Sequence, residues 1–459
     1  MITLGVDVGT TRIKVLALDV ASGRTLALEA AETPVRRDAQ GEAHRPGEVL
    51  ETVIALLAEV TRSLEHPAEV AALCCASVGE EVVLLDGDHR PVADAIAWYD
   101  PRGTAEAGAF LAGPGASLRL TQDVPPDATF SLFKLLWTRD QQPADLARAS
   151  SWTDLGDFVL LGLGGDLVMD WSHASRAGAF DPWARAWDRD IISAAGLDVA
   201  FPPLVASGTV IGTLAPDVAP QTGLPPGVRL VSGGHDHLCA AFGAGLRTTS
   251  ELFLSAGTSE AHLALLAAPL AGQAGPDRRY HLDQGCFVDR DSYYAHVNIH
   301  AGHVFRQWRS LLYEGVDDTV MYAELEAAAA DEDAPTFDLL DDLRHGRLDQ
   351  LPYTAGRAAI MRAVLVGLAR RSADVVAQLE SDVGHRFERI LAVGLPTTVP
   401  LWRSLRASAY ARPLVIVDQP ETAAFGAALL AARAVAGDAG SRPAAPRTVL
   451  QPPRVGGRP

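Results

Sequence analysis

Residues 2–18 read Ile-Thr-Leu-Gly-Val-Asp-Val-Gly-Thr-Thr-Arg-Ile-Lys-Val-Leu-Ala-Leu, two apolar runs on either side of Asp7-Val8-Gly9-Thr10-Thr11. Apolar segments separated by a Gly-Thr turn predict a β-hairpin. The same grammar returns far along the chain, in Glu251 to Leu254, then Ser255-Ala256-Gly257-Thr258-Ser259, then Ala261 to Leu265. Two such units about half a chain apart predict two similar α/β lobes facing each other across a central cleft.

Glycine lets a backbone approach phosphate oxygens closely, and threonine hydroxyls and turn amides donate hydrogen bonds to them. Asp7 adds a carboxylate beside the first turn, suited to holding magnesium through water. Either turn by itself is also compatible with an ordinary hairpin, but two of them are what a triphosphate gripped from both sides requires. A GxxxxGK[ST] loop is absent from the sequence.

A chain of 459 residues exceeds the size of a single hydrophobic core, so two domains are expected. A formal charge of −18 without a basic run excludes a general nucleic-acid surface. No window approaches a membrane span and the first residues have no leader-like pattern, so a soluble cytoplasmic protein without membrane partners is expected. Cys74, Cys75, Cys239 and Cys286 lack metal-ligand spacing and read as buried free thiols.

Apolar residues at Val49, Val53, Leu57 and Val60 predict an amphipathic helix over 47–64, and Met361, Val364, Leu368, Val375 and Leu379 predict a second one over 357–379. Segments 73–77, 82–85 and 389–393 read as strands. The stretch after about Ala436 has no periodicity and is expected to be a loose tail.

Further segments stand in a telling order: Trp98-Tyr99-Asp100-Pro101-Arg102, Lys134-Leu135-Leu136-Trp137, Gly233-Gly234-His235-Asp236-His237, and Glu421 to Ala428. Together with the two hairpins, they make residues 1–435 resemble the FGGY carbohydrate kinases. That resemblance implies two ribonuclease H-like domains of the actin-like ATPase type, 1–245 with the sugar site and first phosphate loop and 246–435 with the nucleotide site, followed by a flexible tail, 436–459. It implies ATP-dependent phosphorylation of a small sugar or polyol hydroxyl, with ATP and Mg2+ required and a homodimer left open.

Carried onto this sequence, the resemblance makes Asp236 the general base, although an aspartate in a Gly-rich turn at a helix start reads by itself as an N-cap. Asp7, Gly9, Thr10, Thr11, Lys14, Gly257, Thr258, Ser259 and Gly394 fall to the nucleotide, with Asp7 at the metal. Glu80, Trp98, Asp100, Arg102, His235 and His237 fall to the sugar, and alternation would point Trp98, Asp100 and Arg102 the same way if they lay on a strand. Lys134 and Trp137 read as structural, and His173 and His296 have no partner that the sequence names.

The chain departs from the family pattern at Val393-Gly394-Leu395-Pro396, where paired glycines are usual, and in the short 334–356 segment. These departures keep open a catalytically weakened sensor of sugar or nucleotide. An actin-like ATPase acting on proteins would leave the Trp98 segment without a purpose.

Overall fold

The computed structural model describes residues 1–116, 129–270, 279–329, 356–437 and 447–452. The 334–355 part of the shortened segment and most of the tail lie outside these residues.

The first sheet is built from β1 (Ile2–Val8), β2 (Arg12–Asp19), β3 (Thr25–Glu32), β4 (Val70–Ser77), β5 (Val210–Thr213) and β6 (Arg229–His235), in the spatial order β5-β6-β4-β1-β2-β3. β1, β2 and β3 form an antiparallel meander, whereas β4 runs parallel to both β1 and β6. The helices that matter for the site are α1 (Pro46–Ser63), α2 (Ser131–Gln141), α3 (Leu155–Gly162), α4 (Trp171–Ala174) and α5 (Asp236–Gly243). α1 buries the predicted stripe, Val49, Val53, Leu57 and Val60, in one core with Ile13, Val15 and Ala17 of β2.

The second sheet repeats the plan with β7 (Glu251–Ala256), β8 (Glu260–Leu266), β9 (Asp283–Cys286), β10 (Tyr293–Ile299), β11 (Arg389–Val393), β12 (Leu414–Val417) and β13 (Arg447–Leu450), in the order β9-β10-β8-β7-β11-β12-β13. β7, β8 and β10 form the antiparallel meander, and β11 is parallel to β7 and β12. Around this sheet stand α6 (Ala301–Tyr313), α7 (Arg357–Val383), α8 (Pro400–Tyr410) and α9 (Thr422–Ala436). The fold is thus the two-lobed α/β arrangement of the actin-like ATPases, each Gly-Thr turn closing the first hairpin of its lobe. One expectation is corrected here. Arg447–Leu450, placed in the loose tail, pairs with β12 as an edge strand, and the Arg447 guanidinium donates to the carbonyl of Ala244 at 2.9 Å.

Between the two sheets lies a shared layer made of α5 and α9. Leu16, Leu18, Ala72 and Cys74 cover it from one side, and Phe253, Leu263, Leu391 and Val415 from the other. The layer is thin because backbone meets backbone. A Cβ built on Gly5 of β1 would stand 1.9 Å from the carbonyl oxygen of Ala424, one on Gly243 2.4 Å from that of Thr422, and one on Gly426 1.9 Å from that of Cys239. The odd positions of β1, Thr3 and Gly5, serve this contact, and the Thr3 hydroxyl donates to the Ala428 carbonyl at 2.9 Å. α9 therefore belongs to the second lobe by chain order but rests on the first lobe's sheet.

Gly426→Ala is expected to lower stability by about 1–3 kcal/mol or more, because the facing atom is backbone and cannot rotate away. Gly108→Ala, in a helix with nothing within 4 Å, is expected to be neutral or to gain about 0.5–1 kcal/mol. Urea midpoints of the two variants check the contrast.

Candidate active site

The first hairpin turn is built rigidly. Gly9 N–H donates to Arg12 O at 3.1 Å, and Thr33 braces the turn from below through its hydroxyl to Gly9 O and its amide to Thr11 O. Thr11 is exposed and Thr10 half-buried. Asp7, the last odd position of β1, is buried, and Lys14 across the hairpin reaches both its Oδ2 at 3.1 Å and Glu421 Oε2, just before α9, at 2.9 Å. Burial, partly offset by Lys14, pushes the Asp7 carboxyl up to about 6. Lys14, expected at the nucleotide, thus joins the lobes through two carboxylates.

In the second hairpin Gly257 N–H donates to Ser259 O, and α6 docks its first turns on the tip, with His303 N–H to Thr258 O at 2.9 Å and Arg306 to the Thr258 hydroxyl at 3.2 Å. Behind it opens an apolar cavity of about 320 Å³ whose walls include Gly257, Gly302, Leu368, Leu395, Val399 and Trp402. Gly394 has a φ of 103°, and a Cβ there would meet Ala256 O at 1.9 Å, so this glycine is demanded by the backbone. The bulk that replaces the second glycine, Leu395 and Pro396, forms a wall of the cavity rather than filling it.

Asp236 occupies the first position of α5 with its side chain one-fifth exposed. It accepts from the His237 amide at 2.5 Å and lies 3.0 Å from His235 Nδ1. Burial would raise its pKa, but the two imidazoles and these hydrogen bonds outweigh burial and hold the carboxyl below the usual range. Burial takes His237 down to about 4, so at neutral pH Asp236 is a carboxylate beside a neutral His237.

The Trp98 segment is a turn, not a strand, which corrects the expectation that three side chains share one direction. Trp98 donates its indole N–H to the Thr10 hydroxyl at 2.9 Å and its amide to buried Glu81, while Lys134 donates to its carbonyl at 3.2 Å. Asp100 and Arg102 are spent on each other: both Asp100 oxygens accept from the Arg102 guanidinium, and Asp100 also takes the amides of Glu42 and Arg102. Arg102 lies 5.3 Å over the Trp137 ring. The two charged residues therefore brace the turn through each other and through Glu42, and Lys134 and Trp137 support it.

Glu80, at a φ of 69°, is buried and accepts from Arg176 Nε at 2.6 Å. Arg176 Nη1 lies 2.5 Å from Asp283 of β9 in the other lobe, and Asp283 lies 3.6 Å from His296. His296 stacks edge-on against His237 with centroids 5.7 Å apart. The contacts thus run from Asp236 through both lobes and return through Gly79, whose missing Cβ leaves room for His235.

The family model for the N-terminal domain of the FGGY carbohydrate kinases matches residues 2–243, and that for their C-terminal domain matches residues 252–435. The chain belongs to the FGGY family of carbohydrate kinases. Its reaction is accordingly the ATP-dependent phosphorylation of a hydroxyl of a small sugar or polyol. Among similar proteins, an L-fuculokinase of Escherichia coli (strain K12) is 27% identical over 446 residues, 93% of this chain and 91% of the relative. A xylulose kinase of Bacillus subtilis (strain 168) is 23% identical over 449 residues, covering 94% and 87%. The crystal structure of xylulose kinase from Rhodospirillum rubrum has the same fold, with a TM-score of 0.86 at 22% identity over 98% of this chain and 94% of that one.

Beneath Asp236 of this FGGY kinase is a buried ionic network that sequence reasoning missed. His173 places Nδ1 2.5 Å from Asp170 and Nε2 3.1 Å from the Ser77 hydroxyl, with Asp154 and Asp157 at 3.6 and 3.8 Å. Ser172 links Asp170 to the His235 amide, so the network supports the backbone that carries Asp236. Ligand atoms of Asp157, Asp170 and His173 lie within 4.8 Å of one another, a spacing fit for a metal, but the imidazolium already supplies the positive charge. The only sequence signal was the Asp170-Trp171-Ser172-His173 capping pattern.

Burial lowers the His173 pKa, but Asp154 and Asp170 outweigh it and raise it well above its ordinary value; burial and Asp170 likewise push the Asp157 carboxyl up. A group whose pKa is raised on folding stabilises fully below its unfolded value, about 6.5 for histidine, and loses that effect as pH rises through the folded value. The stability margin of the wild type over His173→Gln is therefore expected to be widest below about pH 6.5 and to shrink toward alkaline pH, as read from thermal midpoints.

Proposed function

We propose that the acceptor hydroxyl binds against Asp236 and that this carboxylate takes its proton as the hydroxyl oxygen bonds to the terminal phosphorus of ATP and the bridging oxygen leaves with ADP. In this reading the first lobe, residues 1–245, carries the sugar, and the second, 246–435, carries the nucleotide. The observation that supports it is the position of Asp236, ionised, part-exposed at a helix start, on the seam where the lobes meet and within electrostatic range of Asp7. A base with a low pKa fits phosphoryl transfer, whose loose transition state gains more from alignment of the hydroxyl than from early proton removal.

Thr10, Thr11, Gly257, Thr258 and Ser259 are the groups proposed to cradle phosphates, with the nucleoside in the apolar cavity beside Gly257 and Gly394. Trp98, clamped by Thr10, Glu81 and Lys134, offers an aromatic surface for the sugar, with Glu80, His235 and His237 around it. Asp7 suits magnesium: it is a hard oxygen donor, and its buried Oδ1 has no hydrogen-bond partner. Bound there, the ion would neutralise phosphate charge.

Asp236→Asn keeps the shape of the site and removes the proton acceptor. It is expected to reduce kcat by about 10²–10⁴-fold while acceptor and ATP still bind, measured by ADP release over a panel of ketoses, aldoses and polyols. Unchanged turnover in that variant would remove Asp236 from the mechanism. Leu405→Trp, which pushes an indole into the apolar cavity, is expected to raise KM for ATP by about tenfold or more and to leave acceptor KM nearly unchanged, since loss of fit acts on the ligand that the pocket holds.

A further inference from the structure

The groups around Asp236 decide more than the reaction type. Among the described residues, the contacts that encircle the acceptor side join three carboxylates, Asp236, Glu80 and Asp283, and one guanidinium, Arg176. Arg176 does not act there as a free cation. Its Nε lies 2.6 Å from Glu80 and its Nη1 2.5 Å from Asp283, so two carboxylates already balance its single charge. Lys14 next door is likewise held between Asp7 and Glu421. The same cluster keeps polar atoms without hydrogen-bond partners: His237 Nδ1, His296 Nε2, Asp283 Oδ1 and Arg176 Nη1 are buried and make no hydrogen bond. A sugar hydroxyl donates and accepts, so it can satisfy both imidazole nitrogens and the carboxylate oxygen, whereas an anionic group would leave the carboxylate oxygen facing like charge.

We infer that the acceptor is an uncharged polyhydroxylated sugar or polyol and that a sugar acid is excluded by the surplus of carboxylates around Asp236, with Asp283, from the second lobe, as a specificity-determining residue. This rests on the proposed acceptor site and adds to it a choice between substrates of equal size.

The test compares xylulose, L-fuculose and glycerol with gluconate on the full-length protein. At least one neutral acceptor is expected to exceed gluconate by about a hundredfold in kcat/KM, the scale of a like-charge contact. Asp283→Asn, which releases Nη1 of Arg176 without changing shape, is expected to raise the gluconate-to-neutral ratio about tenfold or more. Glu80→Gln should move the ratio the same way from the first lobe. Gluconate used as well as the best neutral acceptor, or a ratio that neither variant moves, would overturn the inference. Binding read by thermal shift on Asp236→Asn separates it from the kinase reading: no ADP from any acceptor with the wild-type protein defeats the mechanism, while tighter binding of a neutral sugar than of gluconate to the variant still supports the charge argument and the reverse order defeats it.

Discussion

The rest of the structure depends on the approach of α5 and α9, backbone against backbone, between the two sheets. Gly243 and Gly426 allow the helices to touch, and Gly5 allows α9 to lie on the central strand of the first lobe. A side chain at any of these points would wedge the sheets apart. Because each lobe lends a helix to this layer, the two sheets are locked in one orientation, with Asp236 at the start of one helix and Glu421 at the start of the other. Dispersion and apolar burial at this layer act over many atoms, so a small displacement there is felt at the cleft.

Charge in the cleft follows from this geometry. Carboxylates converge at the lobe seam, and each is met by a cation or by amide donors: Asp7 by Lys14, Glu80 and Asp283 by Arg176, Asp236 by the His237 amide and flanking imidazoles. Pairs such as Lys14 with Glu421 and Arg176 with Asp283 span the lobes. Part-exposed pairs of this kind contribute little net stability, because desolvation offsets attraction. Their consequence is positional: they hold the carboxylates at defined points along the seam.

The segment around Trp98 shows the same division of labour. Glu81 and Lys134 hold the Trp98 backbone, and Asp100, Arg102 and Trp137 pack on one another beside it. Beneath Asp236 the Asp170–His173 network does the corresponding work for the His235 amide. In both places charged residues are buried because they complete hydrogen bonds to backbone that would otherwise be unsatisfied.

The repeated strand, Gly-Thr turn, strand pattern and the apolar stripes over 47–64 and 357–379 are local properties, written in residues a few positions apart, and they alone determined the two lobes, the helices and the hairpin turns. The order of the short motifs determined the family. What required tertiary structure is whatever joins residues far apart in the chain: that Asp100 and Arg102 turn toward each other, that Lys134 reaches the Trp98 carbonyl, that His173 meets three carboxylates, that Arg447–Leu450 completes a sheet edge, and that Arg176 links Glu80 to Asp283 of the other lobe. Periodicity reports which face of an element is buried, but the partner of a charged side chain is set by packing between elements, and that information resides in no single segment.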